Sequence, residues 1–339
     1  MRLSVLLLPL SCATVSAQTP SAAPLFQSLD PITLRLDADF HALTRDRGKQ
    51  KKEHPAVLRY AVGTDTGTIN VKLKTRGIFR LKTCSFPPIR VDFPKHKVEG
   101  TPFAGQDRLK LVTHCFGDRS TERNLLREYS LYRALNAVTD TSLRVRLAHV
   151  TYVDSARHDT TVRYAFFVES DSGIARRVDA VPVLATNVYD PIIQPSQMTL
   201  VALFEYLIGN LDWSVWGRHN IVILQKNTDP KPLLAVPYDF DFSGAVNASY
   251  ASPPPQIPVK SVREHWYRGF CQPDSILEGA VARFRAAKDS IYANVRAVPD
   301  LPAGDARSVL DYFDEFFHVI DNRGALNREF VRNCRTLRQ

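Results

Sequence analysis

The chain has 339 residues, of which 44% are hydrophobic and 23% charged. That balance excludes broad disorder and suits one large domain or two lobes. The net charge of +9 comes without a basic motif interleaved with aromatics, so it points to a solvated basic surface or an anionic substrate rather than nucleic acid.

Arg2, the apolar run LSVLLLPL and the small residues Val15, Ser16 and Ala17 have the layout of a short secretory signal peptide over 1–17, cut after Ala17. A lipoprotein signal anchored at Cys12 fits less well, because PLSC is a poor context for it. No later stretch resembles a membrane span, so the mature chain is expected to be secreted or extracytoplasmic with no transmembrane segment. Without the leader, Cys84, Cys115, Cys271 and Cys334 remain, an even number that permits two disulfides in an exported chain. Chain order favours Cys84–Cys115 and Cys271–Cys334, with all three pairings open.

Residues 18–55 are polar with weak periodicity and are expected to form an extended N-terminal segment. Alternating runs then predict strands at 57–63, 68–77, 88–94 and 108–114. Apolar residues at 125, 126, 129, 132, 135 and 138 predict a helix with Ser120 or Thr121 as its cap. VRLAHVTYVD and VRYAFFVES, separated by SARHDT, read as a hairpin. An apolar helix follows at 198–211, then two short strands around 221–238, a Pro-rich loop at 247–258, and helices at 273–297, 305–319 and 323–335.

Residues 209–244 carry the chemistry. Asp212, Asn220, Asp239 and Asp241 stand beside the apolar runs IVIL and PLLAVPY. Carboxylates at strand ends are costly to bury unless they hold a metal or a charged partner. A hairpin brings Asn220 and the DFD segment to one end, with Asp212 beside them, and such oxygens suit Mg²⁺ or Mn²⁺. Ordinary turn chemistry at strand ends is the plainer account of any one of these residues. In the first half, Lys110 on a strand and Glu128 on the following helix can form a pair that presents an ammonium to phosphate. The plainer account there is an exposed ion pair of about 1 kcal/mol at most.

In order, VKLKTRG, RLKLVTH, LLREYSLYRAL, YAFFVES, GNLDWSVWGRHN and PYDFDFSG resemble the spore-coat CotH kinase family, over roughly residues 57–320. The resemblance implies an α+β, bilobal, atypical protein-kinase-like fold, with a strand-rich N-lobe at 56–170 and a mainly helical C-lobe at 171–335. It implies a phosphotransferase that uses ATP and Mg²⁺ or Mn²⁺ and takes a protein, peptide or glycan hydroxyl as acceptor. Lys110 would be the phosphate lysine, Glu128 its helix partner and Asp212 the catalytic-loop aspartate. Asn220 and Asp239 would hold metal, with Asp241 assisting. Arg76 and Gly77 would approach phosphate, while Phe167, Val168 and Glu169 would cover the adenine. Three departures stand out: eight residues rather than five separate Asp212 from Asn220, no GxGxxG loop is present, and DFD replaces DFG. They leave open a nucleotide-binding scaffold of the same fold; a metal-dependent hydrolase using the same carboxylates is the other rival.

Overall fold

A computed structural model describes residues 22–185 and 188–336. The expected signal peptide, with Cys12, lies outside the described residues. Strands β1 (Ile32–Ala38), β2 (His54–Val62), β3 (Asp65–Thr75), β4 (Ile89–Asp92), β5 (Arg108–Val112), β6 (Val145–Asp154) and β7 (Asp159–Val168) close into one barrel in the order β1-β2-β3-β4-β5-β7-β6. The short helices α1 (Phe40–Arg45) and α2 (Phe79–Thr83) interrupt its connections, and the long helix α3 (Arg119–Val138) packs against it. Alternation aims one set of side chains inward: Leu34, Leu36, Leu58, Leu73, Val91, Leu109, Leu111 and Phe167 fill the interior.

This corrects the expected bilobal kinase-like fold with a strand-rich N-lobe. The first half is a closed seven-stranded mixed barrel, accompanied by helices. The difference lies in ITLRLDA, within the segment expected to be merely extended. It forms β1, antiparallel to β2 with Leu36 opposite Leu58 and parallel to β6 with Leu36 opposite Tyr152. Pairing on both sides removes the two open edges that an open sheet would leave, with their unpaired backbone groups.

The second half contains α4 (Asp171–Arg177), β8 (Ala180–Pro182), α5 (Pro195–Ile208), β9 (Ile221–Lys226), β10 (Leu233–Pro237), α6 (Asp274–Arg296), α7 (Ala303–Asp321) and α8 (Arg323–Leu326), the last running on as π-helical turns over Asn327–Arg332. The expected hairpin is β9–β10, with β8 as a third strand. Helix α3 is capped by Asp118, whose carboxylate accepts from the Ser120 and Thr121 N–H groups, rather than by Ser120 or Thr121. A second core of α3, α5, α6 and α7 side chains includes Leu131, Phe204, Phe284, Phe313 and Phe316. Helix α5 stops at Gly209, whose φ of +63° needs glycine. A Cβ at Gly209 or Gly244 would run into the Tyr312 hydroxyl, and the Gly244 N–H donates to the Gly209 carbonyl at 3.0 Å. The two ends of the 209–244 segment are thereby tied together.

Disulfides join Cys84 to Cys115 and Cys271 to Cys334. Two such bonds place the chain in an oxidising, extracellular-type compartment. Among the described residues, no helix is long and apolar enough to cross a membrane.

Candidate functional site

The β9–β10 register sets Ile221 opposite Pro237, so the residues flanking that pair meet at one end of the hairpin: the Tyr238 N–H donates to the Asn220 carbonyl at 3.0 Å. Asn220 and Asp239 both hold positive φ, +54° and +68°, a region that Asn and Asp tolerate better than most residues. Three groups of side chains meet around this end.

In front lies Asp212, in the loop after α5. Its Oδ1 is 2.9 Å from His219 Nε2 and its Oδ2 accepts from Asn220 Nδ2 at 3.2 Å. Asn220 Nδ2 also donates to the Asp212 carbonyl at 2.7 Å, which leaves Asn220 Oδ1 as the atom available to a cation. The eight-residue step from Asp212 to Asn220 is thus a small loop closed on itself, and it carries the exposed Trp216, which packs against Tyr189.

In the middle, Lys110 Nζ sits 4.0 Å from the Tyr238 ring centroid. Burial lowers the Lys110 pKa and the Arg76 guanidinium lowers it further, against Asp171 and Asp239. Among the described residues, no carboxylate comes within salt-bridge distance of Lys110. Asp239 is half-buried, and its N–H donates to the Tyr132 hydroxyl on α3 at 2.8 Å. Its carboxylate accepts no protein hydrogen bond among the described residues.

Behind lies a buried cluster of Glu128, Asp241, Arg80 and Tyr250. The Tyr250 hydroxyl donates to Asp241 Oδ2 at 2.9 Å, and Arg80 Nε is 3.9 Å from that same oxygen. Burial, then the Asp239 carboxylate, push Asp241 up to about 6, against the pull of Arg80. Burial likewise raises Glu128 well above the carboxylate range, helped by Asp241 and Asp239. For Arg80 burial acts to lower the pKa, but Tyr250, Asp241, Glu128 and Asp239 together hold it raised.

The expected Lys110–Glu128 ion pair does not form. Glu128 is 1% exposed, and the cations acting on it are Arg80 and Arg76. The charge of Arg76 acts on Lys110 and Tyr238, whereas Gly77 is exposed and its carbonyl accepts from Lys51 at 3.2 Å. The adenine-covering residues are placed elsewhere. Phe167 points into the barrel interior, against Phe103, and Val168 joins the helical core. Glu169 is fully used by Arg177 at 2.8 Å and by the Arg144 N–H at 3.0 Å. The end of β7 is buried on both faces and Glu169 beyond it is held by its own partners, so none of the three side chains is free for a base.

Lys110 instead borders a cleft of about 890 Å³ between the β4–β5 side of the barrel and α4, lined also by Arg90, Lys95, Arg108, Asp171 and Arg176. Arg90 is tied to Asp92 and Lys95 to Asp107, which leaves Arg108, Lys110 and Arg176 as its unpaired cations among the described residues. Two other cavities, of about 770 and 570 Å³, hold none of the expected site residues. Arg80, Asp171 and Tyr250 are the contributors that sequence reading missed. Arg80 is one of several basic residues over 72–82, a charge pattern that by itself suits a solvated basic surface or an anionic substrate, and the fold turns it inward.

Among the described residues, no three His, Cys, Asp and Glu side chains converge tightly enough to hold a metal by themselves. Family models and curated proteins offer no match to this chain.

Proposed function

We propose that the chain is an exported phosphotransferase, CotH-like in its site residues, that moves the γ-phosphoryl group of ATP to a hydroxyl on a protein, peptide or glycan. One observation carries this reading. Lys110 holds its ammonium 4.0 Å from the ring of Tyr238, the neighbour of Asp239 in the chain, at the edge of a cleft that Arg108 and Arg176 also line, and the charge of Arg76 reaches it. A half-buried ammonium under the influence of a second cation gains from an incoming anion, and a triphosphate brings several charges.

The donor set fits a hard cation completed by phosphate. Asp239 and Asn220 Oδ1 are the free oxygens at the hairpin end, with Asp241 behind. Mg²⁺ commonly binds one or two carboxylates and takes its remaining ligands from phosphate and water. Bound there, it would neutralise phosphate charge. Lys110 would hold phosphate oxygens. Asp212, oriented by His219 and Asn220, would align the acceptor hydroxyl and take its proton as the oxygen bonds to phosphorus and ADP leaves.

Calorimetric titration with ATP and Mn²⁺ tests this. Wild type is expected to bind both together. Lys110→Met and Asp239→Asn are each expected to weaken binding about tenfold or more, as loss of a charge-assisted contact does. Asp212→Asn should bind within about threefold of wild type yet lose transfer by roughly 10²–10⁴. Wild type that binds no nucleoside triphosphate with either Mg²⁺ or Mn²⁺ overturns the reading.

A further inference from the structure

We propose that Arg80 is a positioning residue of this site: a clamped helical turn delivers its guanidinium into the acid cluster, where it holds Glu128 and Asp241 back and leaves Asp239 free for the cation. The proposal rests on the phosphotransferase reading and assigns a device that controls the same site.

Three acids act on one another through their charges: Asp239 at the hairpin end, Asp241 two residues on in sequence, and Glu128 on α3. Left alone, like charges this close push apart or compete for a single cation. Arg80 stands among them, 9% exposed, with one guanidinium nitrogen donating to the Thr113 carbonyl and Nε facing Asp241. Among the described residues, Arg80 Nε and Glu128 Oε1 are both buried without a hydrogen-bond partner. The guanidinium therefore serves these acids through its charge and fixed place rather than through a closed bidentate pair.

The turn that carries Arg80 is fastened on three sides. Cys84, which ends α2, is bonded to Cys115 beyond β5. The Arg47 guanidinium donates to the Leu81 carbonyl at 2.6 Å, the Cys84 carbonyl at 2.9 Å and the Ser85 carbonyl at 3.2 Å. Phe79, next to Arg80, packs on Phe242 at 5.0 Å and Tyr250 at 5.8 Å. Phe242 follows Asp241, and Tyr250 is the residue whose hydroxyl binds Asp241. One contact surface thus sets both the guanidinium and the carboxylate it serves. Residues that orient ligands without touching the metal typically change metal affinity 10–100-fold when lost.

The test is Mn²⁺ titration in the presence of ATP, on wild type, Arg80→Met, Arg80→Lys and Tyr250→Phe, each checked for folding by near-UV circular dichroism. Arg80→Met is expected to raise the Mn²⁺ half-saturation point about tenfold or more. ATP affinity without metal should move less than about threefold, because Lys110 and the cleft remain. Arg80→Lys keeps the charge and is expected to restore most of that loss. Should Arg80→Met not fold, Tyr250→Phe reads the same effect, expected at about threefold or more. A purely structural Arg80 would lower the melting temperature and leave the half-saturation of the folded protein unchanged, which overturns the proposal. Wild type that holds no Mn²⁺ with ATP overturns it together with the phosphotransferase reading. Wild type that binds, with variants equal to it, overturns this proposal alone.

Discussion

The barrel and the helical half solve burial in opposite ways. No barrel strand carries a buried acid, and its interior is closed by aliphatic and aromatic side chains. The buried acids Glu128, Glu169, Glu205, Asp241 and Asp305 all lie outside the strands, around the helices and the hairpin. Two of these are conventionally paired, Glu169 with Arg177 and Asp305 with Arg127. Among the described residues, neither Glu205 oxygen has a partner in hydrogen-bonding geometry, although Asn210 lies close enough to lower the Glu205 pKa, and Glu128 lacks a partner on Oε1. Buried charge is costly unless compensated. The barrel is therefore a scaffold that owes its stability to packing, and the other half carries an electrostatic cost where the Asp212 loop and the hairpin meet.

The largest effect should come from the scaffold. Phe103 is fully buried in the barrel, against Tyr60, Phe93 and Phe167. Phe103→Ala is expected to cost about 3–5 kcal/mol of stability by urea unfolding. The shape of the stability profile between pH 5 and 8 should stay as in wild type. A changed profile would break the contrast, because it would mean that the barrel interior is coupled to the titrating groups.

Glu205 should behave the other way. It lies on α5 one turn before Gly209, and its backbone carbonyl accepts from the Asn210 N–H at 2.8 Å. Burial raises its carboxyl to about 8, with Asp212 adding to the rise and Asn210 and Arg268 opposing it. A carboxyl raised in the folded state contributes stability that is full below its ordinary value near 4.5 and is lost as pH climbs to about 8. Glu205→Gln removes that loss. The variant is expected to match wild type at pH 5 within about 1 kcal/mol and to exceed it at pH 8 by roughly 1–4 kcal/mol. Urea midpoints at the two pH values measure this, and parallel profiles would show that Glu205 ionises freely in the fold.

The same contrast explains which parts were legible from residues alone. Alternation marked β2 to β7, because each strand keeps one face in the barrel, and it is equally plain in ITLRLDA. What it does not encode is the partner: β1 pairs with β6, over a hundred residues away, and that pairing closes the strand-rich half into a barrel. Asp212, Asn220 and Asp239 stood out because the apolar hairpin strands isolate them, and the fold brings them to one end of it. The two disulfides are the pairs that chain order favours among the three possible pairings. Arg80 was invisible because a basic cluster reads as solvent-facing, and only the Cys84–Cys115 bond and Arg47 explain why one member turns inward. Phe167 and Glu169 misled for the opposite reason: a strand end near the cleft need not face it.

His114 tests the boundary between the two regions at the smallest scale. It follows β5 beside Cys115, stacked on Phe86 at 4.5 Å, with Nδ1 buried and without a partner among the described residues. Burial depresses its pKa to about 4, and the Arg163 and Arg80 charges act in the same direction. The unfolded chain takes up a proton near 6.5, so the contribution of His114 is full above that pH and is lost as pH falls toward 4. A shift of this size sets a ceiling of about 3 kcal/mol. Carboxylates also weaken the fold in acid, so the informative quantity is the difference between wild type and His114→Gln. That difference should change in the variant's favour by about 1–2 kcal/mol between pH 7 and pH 4.5, once relaxation at the site reduces the ceiling. Adding Arg80→Lys should leave the gain nearly intact, because the guanidinium charge is the least of the three causes and a lysine retains it. A gain that vanished in the double variant would make Arg80, not burial, the source of the acid sensitivity, and would extend the electrostatic region across the disulfide into the barrel's end.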